Sequence, residues 1–231
     1  MSSRVFFTAD THFGHANILR YSERPFLCGA DRAVLDGCGG TWPADSKHRC
    51  SAESVALMDD ALIDAINETV GPRDTLYHLG DFAFAKSASR TVETFEAYRS
   101  RIACRDLHIV WGNHDPPAAK RSGPLAELFT SAAELKEVKV AKQHITLCHY
   151  AMMVWNRSHH GSWQLYGHTH SMLEPWQDDT MPGRLSLDVG VDNADRLLGS
   201  YRPFAFEEIR ELFADRSGFS PTEHRTAGRP A

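Results

Sequence analysis

The sequence predicts an α/β fold for a single domain, and three observations support this prediction. Short apolar runs rich in β-favouring residues alternate with segments that have the period of a helix. Five of these apolar runs end in a polar, acidic or histidine-rich tip. The chain has 231 residues, of which 42% are hydrophobic and 24% are charged, so its length and composition suit one globular domain with its own core.

Each predicted strand is a short apolar run bounded by polar residues. The first covers residues 4–9 and leads directly into Asp10 and His12. Four further strands with polar tips are predicted at 75–79, 107–111, 145–148 and 164–166. Later β-like runs lie at 185–191 and 203–206. In an α/β fold, functional groups gather beyond the carboxyl ends of the strands, so these tips are the candidate site.

Three helices are predicted from apolar periodicity. The clearest begins after a candidate N-cap at Ser51 and ends near Gly71, with apolar residues at helical spacing in between. The other two are predicted at 89–103 and 207–213.

The predicted domain covers residues 1–214 and contains one unusual segment. Residues 27–50 hold four glycines, one proline and three cysteines, and they predict an inserted loop longer than compact domains usually carry. Residues 215–231 lack periodicity and predict a flexible tail.

Charge and cysteine content limit the function classes. Lys and Arg number 25 against 30 Asp and Glu, which gives a net charge of −5 and argues against binding to long nucleic acid, although a short end or a nucleotide would still fit. No apolar run is long enough to predict a membrane span. An odd number of cysteines, five, without a recognisable export signal predicts reduced thiols and a cytoplasmic protein.

The strand tips carry side chains suited to transition-metal ions. They are Asp10, His12, Asp81, Asn113, His149, His168 and His170. Oxygen and imidazole ligands without a thiolate favour manganese, iron, zinc, nickel or cobalt over magnesium alone. Seven ligands are too many for one ion and suit two ions that share a carboxylate. The pairs at 10 and 12 and at 168 and 170 are two residues apart, so on extended backbone both side chains of a pair would leave one face.

These motifs, taken in order, resemble those of the calcineurin-like metallophosphoesterase superfamily. They are Asp10-x-His12, Gly80-Asp81, Gly112-Asn113-His114-Asp115, His149 and Gly167-His168-x-His170. The residues at 10–18, 155–156 and 161–162 look more narrowly like the small bacterial and phage phosphoesterases of that superfamily. The resemblance spans about residues 4–209 and implies two mixed β-sheets sandwiched with flanking helices.

The resemblance also implies an activity and a ligand set. The protein would be a dinuclear metal-dependent phosphoesterase acting on a small phosphomonoester or phosphodiester, with manganese as the expected metal. The first ion would be bound by Asp10, His12, Asp81 and His170, and the second by the bridging Asp81 with Asn113, His149 and His168. A hydroxide between the ions would attack phosphorus, His114 would protonate the leaving group, and Asp115 would orient the His114 ring.

Further residues have both a functional and a structural interpretation. His15 and Asn17 could contact substrate or simply cap the helix that follows, and Arg24 and Arg157 could bind a phosphate or remain solvated. Cys28, Cys38, His48 and Cys50 have the residue types of a structural zinc site but not its usual spacing, so exposed thiols are the alternative.

Two other functions compete with the phosphoesterase hypothesis. A member of the superfamily could have lost its chemistry and kept the fold as a metal-binding interaction scaffold. The same chemistry could also serve a nuclease that acts on short nucleic acid. The complete ligand set together with His114 favours an enzyme, because a scaffold has no physical need of them.

Overall fold

Two mixed β-sheets lie at the centre of the protein, with helices around them. The computed structural model describes residues 3–117 and 121–218. All five strands predicted with polar tips are present, each within two residues of its expected bounds. The predicted fold class, two mixed sheets with flanking helices, is confirmed.

The first sheet has five strands in the order β4-β3-β2-β1-β9. Its strands are β1 (Val5–Thr8), β2 (Thr75–His78), β3 (Asp106–Val110), β4 (Ser131–Ala133) and β9 (Phe204–Ala205). The strands β1 to β4 pair in parallel, and β9 is antiparallel to β1. Parallel pairing brings the carboxyl ends of β1, β2 and β3 to one edge of the sheet.

The second sheet has four strands in the order β5-β6-β7-β8. They are β5 (Leu135–Val140), β6 (Gln143–Cys148), β7 (Trp163–Tyr166) and β8 (Ser186–Asp188). The strands β6, β7 and β8 are parallel, and β5 pairs antiparallel to β6. The strand β5 was not predicted, because three of its six residues are charged and none is fully buried, as suits an edge of the sheet.

The alternation of side chains along β1 explains how the sheet is covered on both faces. Phe6 packs into an apolar cluster with residues of the helices, whereas Phe7 packs into a second cluster that includes Leu147 and Leu165 of the other sheet. The two sheets therefore face each other through one core, and helices cover the other face of the first sheet.

The seven α-helices in the described residues confirm the strongest helical prediction and add others. They are α1 (Ile18–Tyr21), α2 (Gly29–Gly37), α3 (Ala52–Thr69), α4 (Thr91–Arg99), α5 (Glu174–Thr180), α6 (Val191–Leu198) and α7 (Phe206–Leu212). The hydroxyl of Ser51 caps α3 by accepting from the amide of Ser54. The helix α4 ends four residues before its expected end, where the Arg99 guanidinium donates to the carbonyls of Ile102 and Arg105.

The prediction of a continuous loop at 27–50 is wrong for residues 29–37, which form α2. The helix is held by Asp31 in its first turn, which accepts hydrogen bonds from Ser51 and Ser54, and by the buried side chain of Leu35. The helix was not predicted because it begins and ends at a glycine, and glycines usually mark loops.

The expected tail extends past the described part of the chain, since residues 219–231 lie outside the described residues. Within 3–117 and 121–218, every helix is too short or too polar to span a lipid bilayer.

Candidate metal centre

The predicted ligands meet in two groups at the carboxyl ends of the strands. One group is Asp10, His12 and His170, and within it the ligand atoms all lie within 4.8 Å of one another. The other group is Asp81, His149 and His168, with the same spacing. Each group combines residues of both sheets. Asp10 and His12 follow β1, and Asp81 follows β2. His149 follows β6, and the pair at 168 and 170 follows β7.

Asp81 lies between the two groups. Its Oδ2 is 3.5 Å from Nε2 of His12 and 3.5 Å from Nε2 of His149, which belong to different groups. Asn113 joins the second group, with Oδ1 2.9 Å from His149 Nε2 and 2.8 Å from His168 Nδ1. All seven predicted ligands are therefore in one place, with Asp81 where a shared ligand would have to lie.

The backbone at these ligands is not extended, although extended backbone was expected for the pairs at 10 and 12 and at 168 and 170. Asp10, His12, Asp81, His168 and His170 have φ angles of 57°, 49°, 55°, 72° and 47°. Left-handed backbone is uncommon for residues other than glycine and is retained where the surrounding structure enforces it. The side chains converge because the chain turns sharply past each strand end, and not because they share a face of an extended strand.

Two glycines permit this close approach. A Cβ atom at Gly167 would lie 2.6 Å from Oδ2 of Asp10, and a Cβ atom at Gly112 would overlap the Asp81 carboxylate. Any side chain at either position would push a ligand carboxylate out of place.

Hydrogen bonds on one ring nitrogen direct the other towards the centre. Nδ1 of His149 donates to the carbonyl of Leu79 at 2.7 Å, and Nδ1 of His170 lies 2.6 Å from an oxygen of Asp192. Nε2 of each ring is then the nitrogen that would act as a ligand.

The substrate role predicted for Arg24 is wrong. Its side chain is only 1% exposed and donates to both oxygens of Asp192, at 2.8 and 2.9 Å, and to the carbonyls of Asp10 and Thr11. A buried guanidinium is retained only when its charge and donors are paired in this way, and burial leaves none of it accessible to a substrate. Arg24 instead ties Asp192 to the backbone that carries Asp10.

The structure also corrects the role of Asp115. Its two oxygens accept the backbone amides of Gly112, Asp81 and Phe82 at 2.7 to 3.0 Å. The carboxylate therefore fixes the turns that carry Asp81 and Asn113, and it does not orient the His114 ring as predicted.

His114 lies at the edge of the centre with an exposed side chain. Its ring centroid is 5.3 Å from that of His12 and 6.0 Å from that of His15, and its amide donates to Asp81 Oδ1 at 2.8 Å. The imidazole is thus solvent-accessible and close to the ligands.

His15 and Asn17 line a cavity of about 420 Å³ beside the centre, together with Arg49 and Lys86. The His15 ring stacks on Phe84 with centroids 4.5 Å apart. Asn17 occupies the N-cap position of α1, but its side chain makes no capping hydrogen bond. Both residues are therefore placed to meet a ligand in this cavity.

Arg157, the other arginine predicted to bind substrate, makes no hydrogen bond or ion pair with the ligand residues in the described part of the chain. Arg157 is exposed, with left-handed backbone, just before the 3₁₀ turn Ser158–His160.

The electrostatics of the ligands suit a bound cation. Burial raises the pKa of Asp10, and burial together with the charge of Arg24 lowers the pKa of His12 well below its usual range. Burial opposes the charge on His149, but the hydrogen bond to Asp81 and the nearby Asp10 raise its pKa to about 9. A divalent cation would favour ionised Asp10 and neutral imidazoles, which are the forms that bind metals.

One buried atom provides a direct test of whether a metal ion fits. Nε2 of His12 is buried and has no hydrogen-bond partner among the described residues. Such atoms are rare in folded proteins and require a partner. This nitrogen belongs to the first ligand group, so the donor set and the unpartnered atom both fit a divalent metal ion.

Sequence reasoning missed two supporting carboxylates. Asp188 accepts from the hydroxyl of Thr169 and the amides of Ser171 and Gly190, and Asp192 contacts His170. A signal was present, because Asp188 and Gly190 lie near the end of the predicted strand at 185–191 and Asp192 follows it directly.

The proposed zinc quartet in the insertion does not assemble. Cys38 is exposed and lies outside the cluster found there, which consists of Asp31, His48 and Cys50. Asp31 takes the place expected for a cysteine, because the unpredicted helix α2 turns it towards His48.

Comparisons with known proteins identify the family and the fold. Residues 57–190 match the model of the calcineurin-like phosphoesterase superfamily domain. An uncharacterized protein of Methanocaldococcus jannaschii is 23% identical over 210 residues, which cover 90% of each chain. A protein of unknown function from Aquifex aeolicus has a similar fold, with a TM-score of 0.56 and 18% identity over 91% of this chain and 100% of that one.

Proposed function

This chain belongs to the calcineurin-like phosphoesterase superfamily, and from that premise we propose that it is a dinuclear metal-dependent phosphoesterase that hydrolyses a phosphomonoester or phosphodiester. The main support is the position of Asp81, whose Oδ2 is 3.5 Å from a nitrogen of each ligand group. A carboxylate between two groups of ligands is the arrangement needed to hold two ions close together.

The ligands divide between two ions. Asp10, His12 and His170 with Asp81 would hold the first, and Asp81 with Asn113, His149 and His168 would hold the second. When bound, two divalent ions supply positive charge for the phosphoryl oxygens and a water molecule of lowered pKa as the nucleophile. Manganese is the ion that we expect to work best, since the oxygen and imidazole ligands suit it.

His114 is the candidate proton donor to the leaving group. Its exposed ring lies at the edge of the first ligand group, so it can reach a bound ester and exchange protons with solvent. Its backbone amide donates to Asp81, which fixes the position of the ring relative to the shared ligand.

The cavity beside His15 is the candidate site for the rest of the substrate. Arg49 and Lys86 border it, and His15 separates it from the ligands. Two positive charges favour a substrate with negative charge beyond the scissile phosphate, and Asn17 can add a hydrogen bond.

Metal removal and reloading test the proposed function. Hydrolysis of nitrophenyl phosphate and bis-nitrophenyl phosphate should be lost after chelation and restored by Mn²⁺, because both ions are needed for the nucleophile. Asp81→Asn should lose at least about 100-fold in kcat. Asp60→Asn, whose carboxylate is 61% exposed, is the matched control and should behave as wild type.

The same experiment separates the competing functions. Unchanged hydrolysis after both metals have been stripped would contradict the proposal. Two bound metals without hydrolysis of any phosphate ester would favour the scaffold. Hydrolysis of short DNA or RNA that weakens steeply with salt would favour the nuclease.

A further inference from the structure

A third group of metal-ligand side chains lies in the insertion between α1 and α3. It consists of Asp31 of α2, His48 and Cys50, whose ligand atoms all lie within 4.8 Å of one another. His48 Nε2 is 2.7 Å from Asp31 Oδ1, and both Asp31 and Cys50 are 4% exposed. None of these residues belongs to the dinuclear ligand set.

The hydrogen bonds around Asp31 leave one of its oxygens for a ligand role. Oδ2 accepts from the Ser51 amide at 2.8 Å, the Ser51 hydroxyl at 2.7 Å and the Ser54 hydroxyl at 2.6 Å. These bonds fix the carboxylate, and its Oδ1 contacts His48. Hydrogen bonds of this kind orient the carboxylates that bind metals in proteins.

The His48 ring is also held in position. It stacks on Trp42 with centroids 5.2 Å apart and an interplanar angle of 11°, and its backbone carbonyl accepts from Arg20. The thiol of Cys28 lies beside the group, with Sγ 3.6 Å from Asp31 Oδ2 and 3.3 Å from the Ser51 hydroxyl. The imidazole of His48, the carboxylate of Asp31 and the buried thiol of Cys50 are therefore close enough to share one ion.

We propose that Asp31, His48 and Cys50 bind a zinc ion, separate from the dinuclear centre. A thiolate, an imidazole and a carboxylate form a ligand set that suits zinc better than manganese or magnesium. On binding, the ion replaces the direct contact between His48 and Asp31, and Cys50 releases its proton.

The insertion buries few apolar side chains. Between residues 29 and 49 most side chains are exposed, and the buried apolar ones are Leu35 and Trp42. An ion that joins α2 to the chain just before α3 would stabilise this segment, as structural metals do in small folding units. It would also fix Trp42, which lines a cavity of about 430 Å³ together with His170 of the dinuclear centre.

Cobalt substitution tests this site independently of activity. Cobalt bound to a thiolate gives an intense near-ultraviolet charge-transfer absorption, and the dinuclear ligand set contains no thiolate. The full chain, loaded with Co²⁺, should show this absorption. Cys50→Ser and His48→Ala should lose this absorption and should contain one metal ion fewer per chain by mass spectrometry. The control Cys38→Ser, at an exposed cysteine, should keep the absorption and the full metal content.

Further measurements keep the proposal falsifiable if a variant fails to fold. Asp81→Asn should keep the thiolate absorption while losing metal from the dinuclear centre, which separates failure of one site from failure of the other. Absence of the absorption in the wild-type protein would overturn the proposal, as would equal metal content in folded Cys50→Ser and Cys38→Ser.

Discussion

At the scale of single residues, the position of a ring nitrogen decides what a histidine can do. His12 presents a buried Nε2 to the ligand group, whereas His114 presents an exposed ring at its edge. The same residue type thus serves as a candidate ligand in one position and a candidate acid in the other.

Loss of the His114 imidazole should affect substrates unequally. We expect His114→Ala to keep its metals and lose about 10²- to 10⁴-fold in kcat on esters with poor leaving groups, but much less on nitrophenyl esters, which need no proton. A series of phosphate esters of graded leaving-group pKa measures this. His159→Ala, at an exposed histidine, is the control, and equal losses across the series would remove the acid role.

Asp192 should affect metal affinity, since it orients His170 and pairs with Arg24. We expect Asp192→Asn to need about 10- to 100-fold more Mn²⁺ for half-maximal activity. A metal titration of the activity measures the shift, with Asp179→Asn at an exposed site of α5 as the control. An unchanged Mn²⁺ requirement in the folded variant would show that Asp192 does not position the ligand.

At the scale of the elements, the turns after the strands bring the ligands together. Each candidate ligand with left-handed backbone lies just past a strand, where neighbouring backbone holds it. The amides of Asp10 and His12 donate to the carbonyls of Gly80 and Asp81, which links the turn after β1 to the turn after β2.

A methyl group at Gly167 should disrupt the centre. Because the added Cβ would lie 2.6 Å from both Asp10 Oδ2 and the Ala9 side chain, we expect Gly167→Ala to lose about 1–3 kcal/mol of stability and much of its metal affinity. Thermal unfolding and metal titration measure the two effects. The control Gly37→Ala, where a Cβ meets nothing within 4 Å, should show neither the loss of stability nor the loss of metal affinity. Wild-type metal affinity in Gly167→Ala would count against the crowding explanation.

The helix α3 is linked to the first ligand turn by a carboxylate that should make stability depend on pH. Asp59 accepts from the Gly14 amide and the Tyr98 hydroxyl, and burial raises its pKa to about 6. The unfolded pKa is near 3.9, so the folded state holds the proton more tightly and stability from this group falls as pH rises from about 4 to 6.

Between about pH 4 and 6, ionisation of Asp59 should cost the wild-type protein roughly 1–3 kcal/mol of stability, and Asp59→Asn should not show this loss. The amide can keep both contacts and does not ionise. Urea unfolding at a series of pH values measures the slope. The adjacent Asp60→Asn, at an exposed carboxylate, should retain the wild-type slope, and an equal change in both variants would contradict the explanation.

At the scale of the whole molecule, the candidate centre exists only where the two sheets meet. Asp10 and Asp81 follow strands of the first sheet, whereas His149 and His168 follow strands of the second. A metal ion bound by both sets of ligands must favour the packed arrangement of the sheets over the unfolded chain.

Metal should therefore stabilise the fold. We expect Mn²⁺ at about 100 times its Kd to add roughly 2–3 kcal/mol to the free energy of unfolding and to raise Tm. Thermal unfolding with and without Mn²⁺ measures the shift. Asp81→Asn should lose most of it and Asp60→Asn should keep it; an equal shift in the two variants would place the stabilising ion elsewhere.

Much of the centre could be predicted because its ligands are local to strand ends. His149 and the pair at 168 and 170 each follow an apolar run, so they could be recognised from the sequence as polar residues at strand ends. The contacts that support them were not visible, because Arg24 and Asp192 are 168 residues apart and His168 and Asp10 are 158 apart. Only packing brings such pairs together.

The sequence alone determined the alternation of strands and helices and the residue types at the strand tips, because periodicity and residue chemistry act over a few neighbouring positions. The tertiary structure decided which carboxylate lies between the two ligand groups, that Arg24 is buried on Asp192, and that Asp31 joins His48 and Cys50. These facts depend on distances between parts of the chain that are remote in sequence, and the sheets and helices fix those distances only when they pack together.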